Sequence, residues 1–274
     1  MPVVTIKTKS WLLWGLAFVL TICSAAYQRM TGPSYPVRGK AFVDNVEVAF
    51  RLPCSHGGEG DEEIRLLVPK TSISGVMEFR RFRSDDPWSR QSLERRDDHL
   101  VARIPHQPPA GKVVYRVYLS NNEGDPVSLT TERVIIRFRG GVPAFVLIPH
   151  IILIFAAMFL STRTGLEGLF RGSKVYKLTV WTTALLLMGG MIGGPVVQKC
   201  AFGAFWNGWP FGHDLTDNKT AVAFLFWVIA LWRSRRNPQS RGWTIAASVI
   251  LLAVYLIPHS VLGSELDYTQ MPAH

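Results

Sequence analysis

The sequence predicts an α+β membrane protein with an N-terminal anchor helix, an extracytoplasmic antiparallel β-sandwich and a four-helix transmembrane bundle. Two observations predict this class: five long apolar stretches, and one extended segment in which apolar and polar residues alternate. A third is the clustering of basic residues in the short connectors between apolar stretches. The five stretches cover about 11–27, 142–162, 178–197, 219–232 and 243–263.

The basic connectors predict the orientation of the chain. The N-terminus and the connectors 163–177 and 233–241 together hold ten Lys and Arg side chains against one Glu. Short positively charged loops stay in the cytoplasm, and all three segments fall on one side when the five stretches alternate. We therefore predict a multi-pass protein of the plasma (inner) membrane with a cytoplasmic N-terminus. Residues 28–141 and the C-terminus are then extracytoplasmic.

The net charge of +10 mostly reflects this topology. Residues 28–140 hold 18 basic and 15 acidic side chains, so no nucleic-acid partner is expected. The expected partners are the lipid bilayer and another membrane protein. Three cysteines are too few for a disulfide framework. A Cys54–Cys200 bridge and two free thiols both stay open.

The first domain, residues 1–27, is predicted to be a signal anchor, with a cleaved signal peptide as the alternative. Its basic start and apolar core suit both, and Ser24-Ala25-Ala26 resembles a cleavage site for a signal peptidase. An apolar stretch of about 17 residues is the lower limit for crossing a bilayer. Whether residues 1–26 are removed is therefore left open.

The second domain, residues 28–141, has the pattern of short antiparallel strands. Seven or eight alternating runs are separated by turn residues, for example Asp44-Asn45. Short strands at this spacing are typical of a β-sandwich. Because successive strand residues point to opposite faces, Val113, Tyr115 and Val117 should face the core together. Further along, arginine pairs alternate with aspartate pairs, which predicts a solvated mixed surface.

Two neighbouring stretches in this domain carry a family resemblance. One strand ends in Ile104-Pro105, and the turn Pro109-Ala110-Gly111 leads into a strand that carries Tyr115. In this arrangement, residues 36–140 resemble immunoglobulin-like and fibronectin-III-like modules. The resemblance implies the fold alone, since such modules serve adhesion, ligand binding and spacing alike. The membrane part resembles no enzyme or transporter family.

The third domain, residues 142–263, holds the candidate site, with an aromatic outer loop at 198–220 and an outer tail at 264–274. Four glycines within 189–194 should permit close packing of helices. Asp217 or Asn218 could cap the fourth helix. Ionisable groups in or near membrane spans are costly and mark candidate functional sites. The candidate polar or ligand site comprises His150, His213, Asp214, Asp217, Asn218, Lys219, His259 and Glu265.

The chemistry of that site is open between three interpretations. His150, His213 and His259 could bind a b-type haem or a divalent metal, or the site could bind a polar ligand or protons. The same side chains could also serve structure alone. The sequence has no nucleotide-binding loop and no nucleophile elbow, and no residue is assigned a catalytic role. We therefore expect a partner- or ligand-binding subunit or accessory factor of a larger membrane complex. The alternative is a membrane redox or metal- and haem-handling protein with a histidine site near the outer face.

Overall fold

The computed structural model describes residues 10–121, 125–237, 239–259, 261 and 263–270. Helices and β-sheets are both present, which confirms the α+β class. The chain forms two compact units. Within the described residues, one unit comprises 10–32, 142–200 and 204–263, and the other comprises 33–141, 201–203 and 264–270.

The first unit is helical, and three of its helices are long and apolar enough to cross a membrane. These are α1 (Ser10–Thr31), α2 (Ala144–Leu169) and α3 (Val175–Phe202), whose middle part, Leu187–Gly193, is wound as a π-helix. The helix α4 (Leu215–Arg236) carries charged residues in its first and last turns. The helix α5 (Gly242–Leu256) is apolar but has only 15 residues.

Helix α2 corrects one predicted boundary. Arg163 and Glu167 were assigned to a basic connector, but α2 continues through both of them to Leu169. Their side chains are one helical turn apart and form an ion pair, so the helix can continue past the apolar stretch with its charges neutralised. The connector to α3 is reduced to residues 170–174.

Small residues let the helices of this unit approach closely. The alanines in its core are almost wholly buried, and Trp227 is completely buried among them. Where hydrocarbon surrounds a protein, close packing of this kind holds helices together. The core residues come from α2, α3, α4 and α5: Ala157, Met158, Leu186, Ala223, Trp227, Ala230, Ala247, Leu251 and Tyr255.

The glycines of α3 confirm the predicted close packing. A Cβ atom on Gly189 would lie 2.9 Å from the Cβ atom of Leu153 and 3.0 Å from the backbone nitrogen of Ile154. The first distance is shorter than real Cβ contacts and the second is at their short limit, so glycine allows α2 to come this near. On Gly190 a Cβ atom would meet the Thr220 methyl group of α4 at 3.1 Å.

The described residues of the second unit form three sheets. Strand order is β1-β2 in the first, β3-β11-β9-β5-β6 with β10 beside β9 in the second, and β4-β8-β7 in the third. All pairs are antiparallel except β3 with β11. The strands are β1 (Val37–Val43), β2 (Val46–Leu52), β3 (Ser55–Gly57), β4 (Glu62–Leu67), β5 (Ile73–Arg81), β6 (Ser89–Ser92), β7 (Glu94–Arg96), β8 (His99–Ile104), β9 (Lys112–Asn121), β10 (Val127–Ser128) and β11 (Val134–Arg139).

One hydrophobic core is shared by these sheets. Val113, Tyr115 and Val117 are all buried in it, as their alternation along the strand predicted. The Tyr115 hydroxyl donates a hydrogen bond of 2.8 Å to the Pro53 carbonyl, which satisfies its buried polar atom. Asp44-Asn45 forms the predicted turn between β1 and β2, with positive φ at both residues.

Residues 264–270 belong to this second unit. The Leu266 amide donates to the Ala110 carbonyl at 3.2 Å, and the Tyr268 hydroxyl donates to the Gln107 side chain at 2.8 Å. Tyr268 also lies under the Arg81 guanidinium, 4.7 Å from its ring centroid, and its burial raises the pKa of the phenol. The three cysteines are free thiols.

Candidate functional site

His150 lies against the π-helical part of α3. Its Nδ1 atom donates a hydrogen bond of 2.9 Å to the Gly189 carbonyl, since a carbonyl can only accept. The same oxygen accepts the amide of Gly194, five residues along the π-helix. A Cβ atom on Gly193 would lie 3.3 Å from His150 Nδ1, so the glycines make room for the ring. With Nδ1 donating, Nε2 is the acceptor of a neutral His150 ring.

Two polar side chains at the start of α4, Asp217 and Asn218, hold the aromatic loop against the helix. The Asp214 carboxylate accepts the Thr216 amide at 2.8 Å and caps α4, so the predicted capping by Asp217 or Asn218 is wrong. Asp217 accepts the Asn207 amide at 2.6 Å instead, together with the Gln198 side chain at 3.0 Å. Asn218 accepts the Trp209 amide at 2.7 Å.

Lys219 connects two helix ends. Only 7% of this residue is exposed, and its Nζ atom donates a hydrogen bond of 2.6 Å to the Ile257 carbonyl at the end of α5. The last carbonyls of a helix have no partner within the helix, and a lysine nearby satisfies one of them. Lys219 therefore has a structural role at this position.

The histidines are brought together only in part. His259 follows α5 and interacts electrostatically with Lys219, His150 and Asp214, so these four residues share one neighbourhood. His213 in the aromatic loop and His259 after α5 are both exposed. Glu265 belongs to the second unit, where it forms ion pairs with Arg83 at 2.7 Å and with Lys112.

A metal site with several protein ligands is not formed by the described part of the chain. No group of three His, Cys, Asp or Glu side chains there could hold a metal ion. That His150 and His259 bind a polar ligand or a haem together stays a prediction.

The sequence did not indicate that Arg163 and Glu167 form a buried ion pair. The two side chains are only 1% and 7% exposed and lie 2.6 Å apart. The Glu167 carboxylate also accepts the Lys174 amide at 3.0 Å, and the Arg163 guanidinium lies 5.1 Å from the Trp14 ring of α1. Arg163 thus connects to α1, while Glu167 fixes the turn before α3. The sequence signal was the i, i+4 spacing of the two charges.

A second missed feature is a cleft of about 300 Å³ on the β5–β6–β9 side of the second unit. We call it the arginine cleft. It cannot be predicted from the sequence because its residues come from separate strands and from the segments that flank them. They are Glu78, Trp88, Arg90, Arg116, Tyr118 and Arg133.

Comparison of the chain with protein-family models, curated proteins and solved structures found no match. Function is therefore inferred from the contacts and burial described above. The resemblance of residues 36–140 to immunoglobulin-like modules stays a prediction from the sequence.

Replacing Glu167 by alanine should strongly destabilise the helical unit. The substitution leaves the Arg163 charge buried without its carboxylate, which costs about 3–5 kcal/mol. Thermal unfolding of the full chain in detergent measures the effect. The double variant R163M/E167M should lose much less, because it removes both charges and keeps apolar volume.

The matched control is E94A, which removes a carboxylate from the exposed pair of Glu94 and Arg96. It should change stability by less than about 1 kcal/mol. Equal destabilisation by E167A and by the double variant would show that the ion pair is not what holds these helices.

Proposed function

We propose that this chain is an integral membrane protein whose second unit is an extracytoplasmic partner- or ligand-binding domain, and that it acts as a subunit or accessory factor of a larger membrane complex. The proposal rests on one observation: polar side chains of the helical unit are hydrogen-bonded within that unit. Asp214, Asp217 and Lys219 are engaged by the backbone and side chains of their own unit. Helices α1 to α3 meanwhile have the length and composition of membrane spans.

The proposed orientation follows from α2 and the basic connectors. Its 26 residues measure about 39 Å, which exceeds the apolar thickness of a bilayer. Arg163 lies about 29 Å from the start of the helix, beyond most of that thickness. With residues 163–177 in the cytoplasm, the strands that precede α2 lie outside. We further propose that their sheets pack as a β-sandwich and that α2 to α5 form a four-helix bundle.

Helix α1 is proposed to stay attached as an anchor. The Trp14 ring lies 5.2 Å from the Phe159 ring of α2, and Gln28 donates a hydrogen bond of 2.8 Å to the Tyr255 carbonyl at the end of α5. Leu13 and Ala17 are buried. Cleavage after Ala26 would remove Leu13, Trp14 and Ala17 and uncover Arg163, so the packing supports retention of α1.

The aromatic loop supports a position at the membrane surface. Trp209 and Phe211 are 77% and 82% exposed, and Phe205 is 58% exposed. Large aromatic side chains of this kind collect at the boundary between hydrocarbon and water. The loop is therefore proposed to lie at the outer interface, where it contacts lipid or a membrane protein partner.

The alternative is a haem- or metal-handling protein, and one observation favours it. The bond from His150 Nδ1 to the Gly189 carbonyl orients the ring with Nε2 as its second nitrogen. Such an orienting bond is common in histidine ligands. His150 and His259 would hold a b-type haem, which would supply one-electron transfer.

An absorption spectrum with elemental analysis of the purified full chain separates the two functions. The binding-protein proposal predicts no Soret band and no stoichiometric iron, copper or zinc. A Soret band that is lost in H150A and H259A, but kept in H213A, would establish the alternative. His213 is the matched control because it carries the same side chain but lies in the aromatic loop rather than in α2 or after α5.

Reporter fusions test the proposed orientation. Fusions after Arg171 and Arg236 should report the cytoplasm, and fusions after Gly141, His213 and the C-terminus should report the outer side. A cytoplasmic result after Gly141 would contradict the extracytoplasmic position of the second unit. A cytoplasmic C-terminus would contradict the four-helix bundle, since α4 and α5 would then not both cross the membrane.

A further inference from the structure

The arginine cleft is formed by the register of three strands. Glu78 on β5 pairs with Arg90 on β6 and with Arg116 on β9, so the three side chains form one row across the sheet. Tyr118 lies two residues further along β9 on the same face. Trp88 and Arg133 complete the lining of the cleft.

Positive charge exceeds negative charge in this cleft. Its three arginines face one carboxylate, and Glu78 is paired with Arg90 at 2.7 Å. Arg116 and Arg133 have no carboxylate partner within the described residues. Some other arginines of the unit do have such a partner: Arg81, for example, binds both oxygens of Asp86 at 2.6 and 2.8 Å, and the pKa of that carboxyl is lowered as a result.

The unpaired guanidinium groups are held in place. The Arg133 guanidinium lies 4.7 Å from the Trp88 ring centroid, and that of Arg80 lies 4.9 Å from the same ring. Arg116 donates to the Thr131 carbonyl at 3.2 Å and to the Tyr118 hydroxyl at 3.4 Å. Groups that are already ordered lose less entropy when a ligand binds.

Incomplete hydrogen bonding of the guanidinium groups adds to the effect of the excess positive charge. The Nε atoms of Arg80 and Arg116 are buried and have no hydrogen-bond partner within the described residues. A guanidinium group whose donors are only partly satisfied attracts an anion more strongly than one in open water. Arginine is also the residue best suited to bind carboxylate and phosphate groups, because its fork of donors matches two oxygen atoms.

We propose that the arginine cleft binds an oxyanion, a carboxylate or phosphate group, between Arg116 and Arg133. Tyr118 supplies a further hydroxyl donor, and Trp88 is a positioning residue that holds Arg133. The anion comes either from a small soluble molecule or from a lipid headgroup. The inference rests on the proposed ligand-binding function of the second unit and names the class of ligand.

Calorimetric titration of the detergent-solubilised full chain tests this, with three probes: inorganic phosphate, glucuronate and short-chain phosphatidylglycerol below its micelle concentration. Binding of phosphate or glucuronate supports a soluble ligand, and binding of phosphatidylglycerol alone supports a lipid headgroup. R116A and R133A should each weaken binding about tenfold or more. R116K should weaken it too, because an ammonium group has no planar fork.

The matched control is R65A, which removes the same charge from an exposed pair with Glu63 in another sheet. It should bind like the wild type. W88L should weaken binding less than R133A. Because Arg133 is exposed, R133A keeps the test valid if R116A fails to fold.

No binding of any probe, or equal binding by the wild type and R133A, would overturn the inference. Such a result would leave the proposed membrane topology intact, since the reporter fusions test that separately.

Discussion

The helical unit depends on one constraint: a charged group that leaves water for an apolar interior must be paired within the protein. An unpaired buried charge costs several kcal/mol. Arg163 therefore pairs with Glu167. Hydroxyl groups on the helices bond to backbone carbonyls one turn earlier or on a neighbouring helix, as Thr179 and Ser248 do.

The same constraint explains why the polar segment before α4 is so dense. Asp217 and Asn218 bind backbone amides of the aromatic loop, and Lys219 binds the last carbonyl of α5. Each of these groups satisfies a backbone atom that a helix or loop end leaves without a partner. Their density is a requirement of the fold, so ligand recognition is better sought in the second unit, where Arg116 and Arg133 have no acidic partner among the residues that the structure describes.

The sequence predicted the apolar helices, the alternating strands and the inward face of β9. Those features depend on periodicity, which each segment carries by itself. The predicted end of α2 was wrong because the charges of Arg163 and Glu167 neutralise each other only once the helix has formed. The arginine cleft was missed because Glu78, Arg90 and Arg116 meet through strand register, which depends on pairing between distant segments. His150 was identified, whereas its acceptor on Gly189 depends on the π-helical winding of α3.

The apolar helices α1, α2 and α3 are proposed to be embedded in a bilayer. Alkaline carbonate extraction of membranes that contain the full chain tests this, because high pH releases peripheral proteins and leaves transmembrane helices in place. The protein should stay in the membrane pellet and enter the soluble fraction only with detergent. Release of the intact chain by carbonate alone would show that α1, α2 and α3 pack against protein rather than lipid.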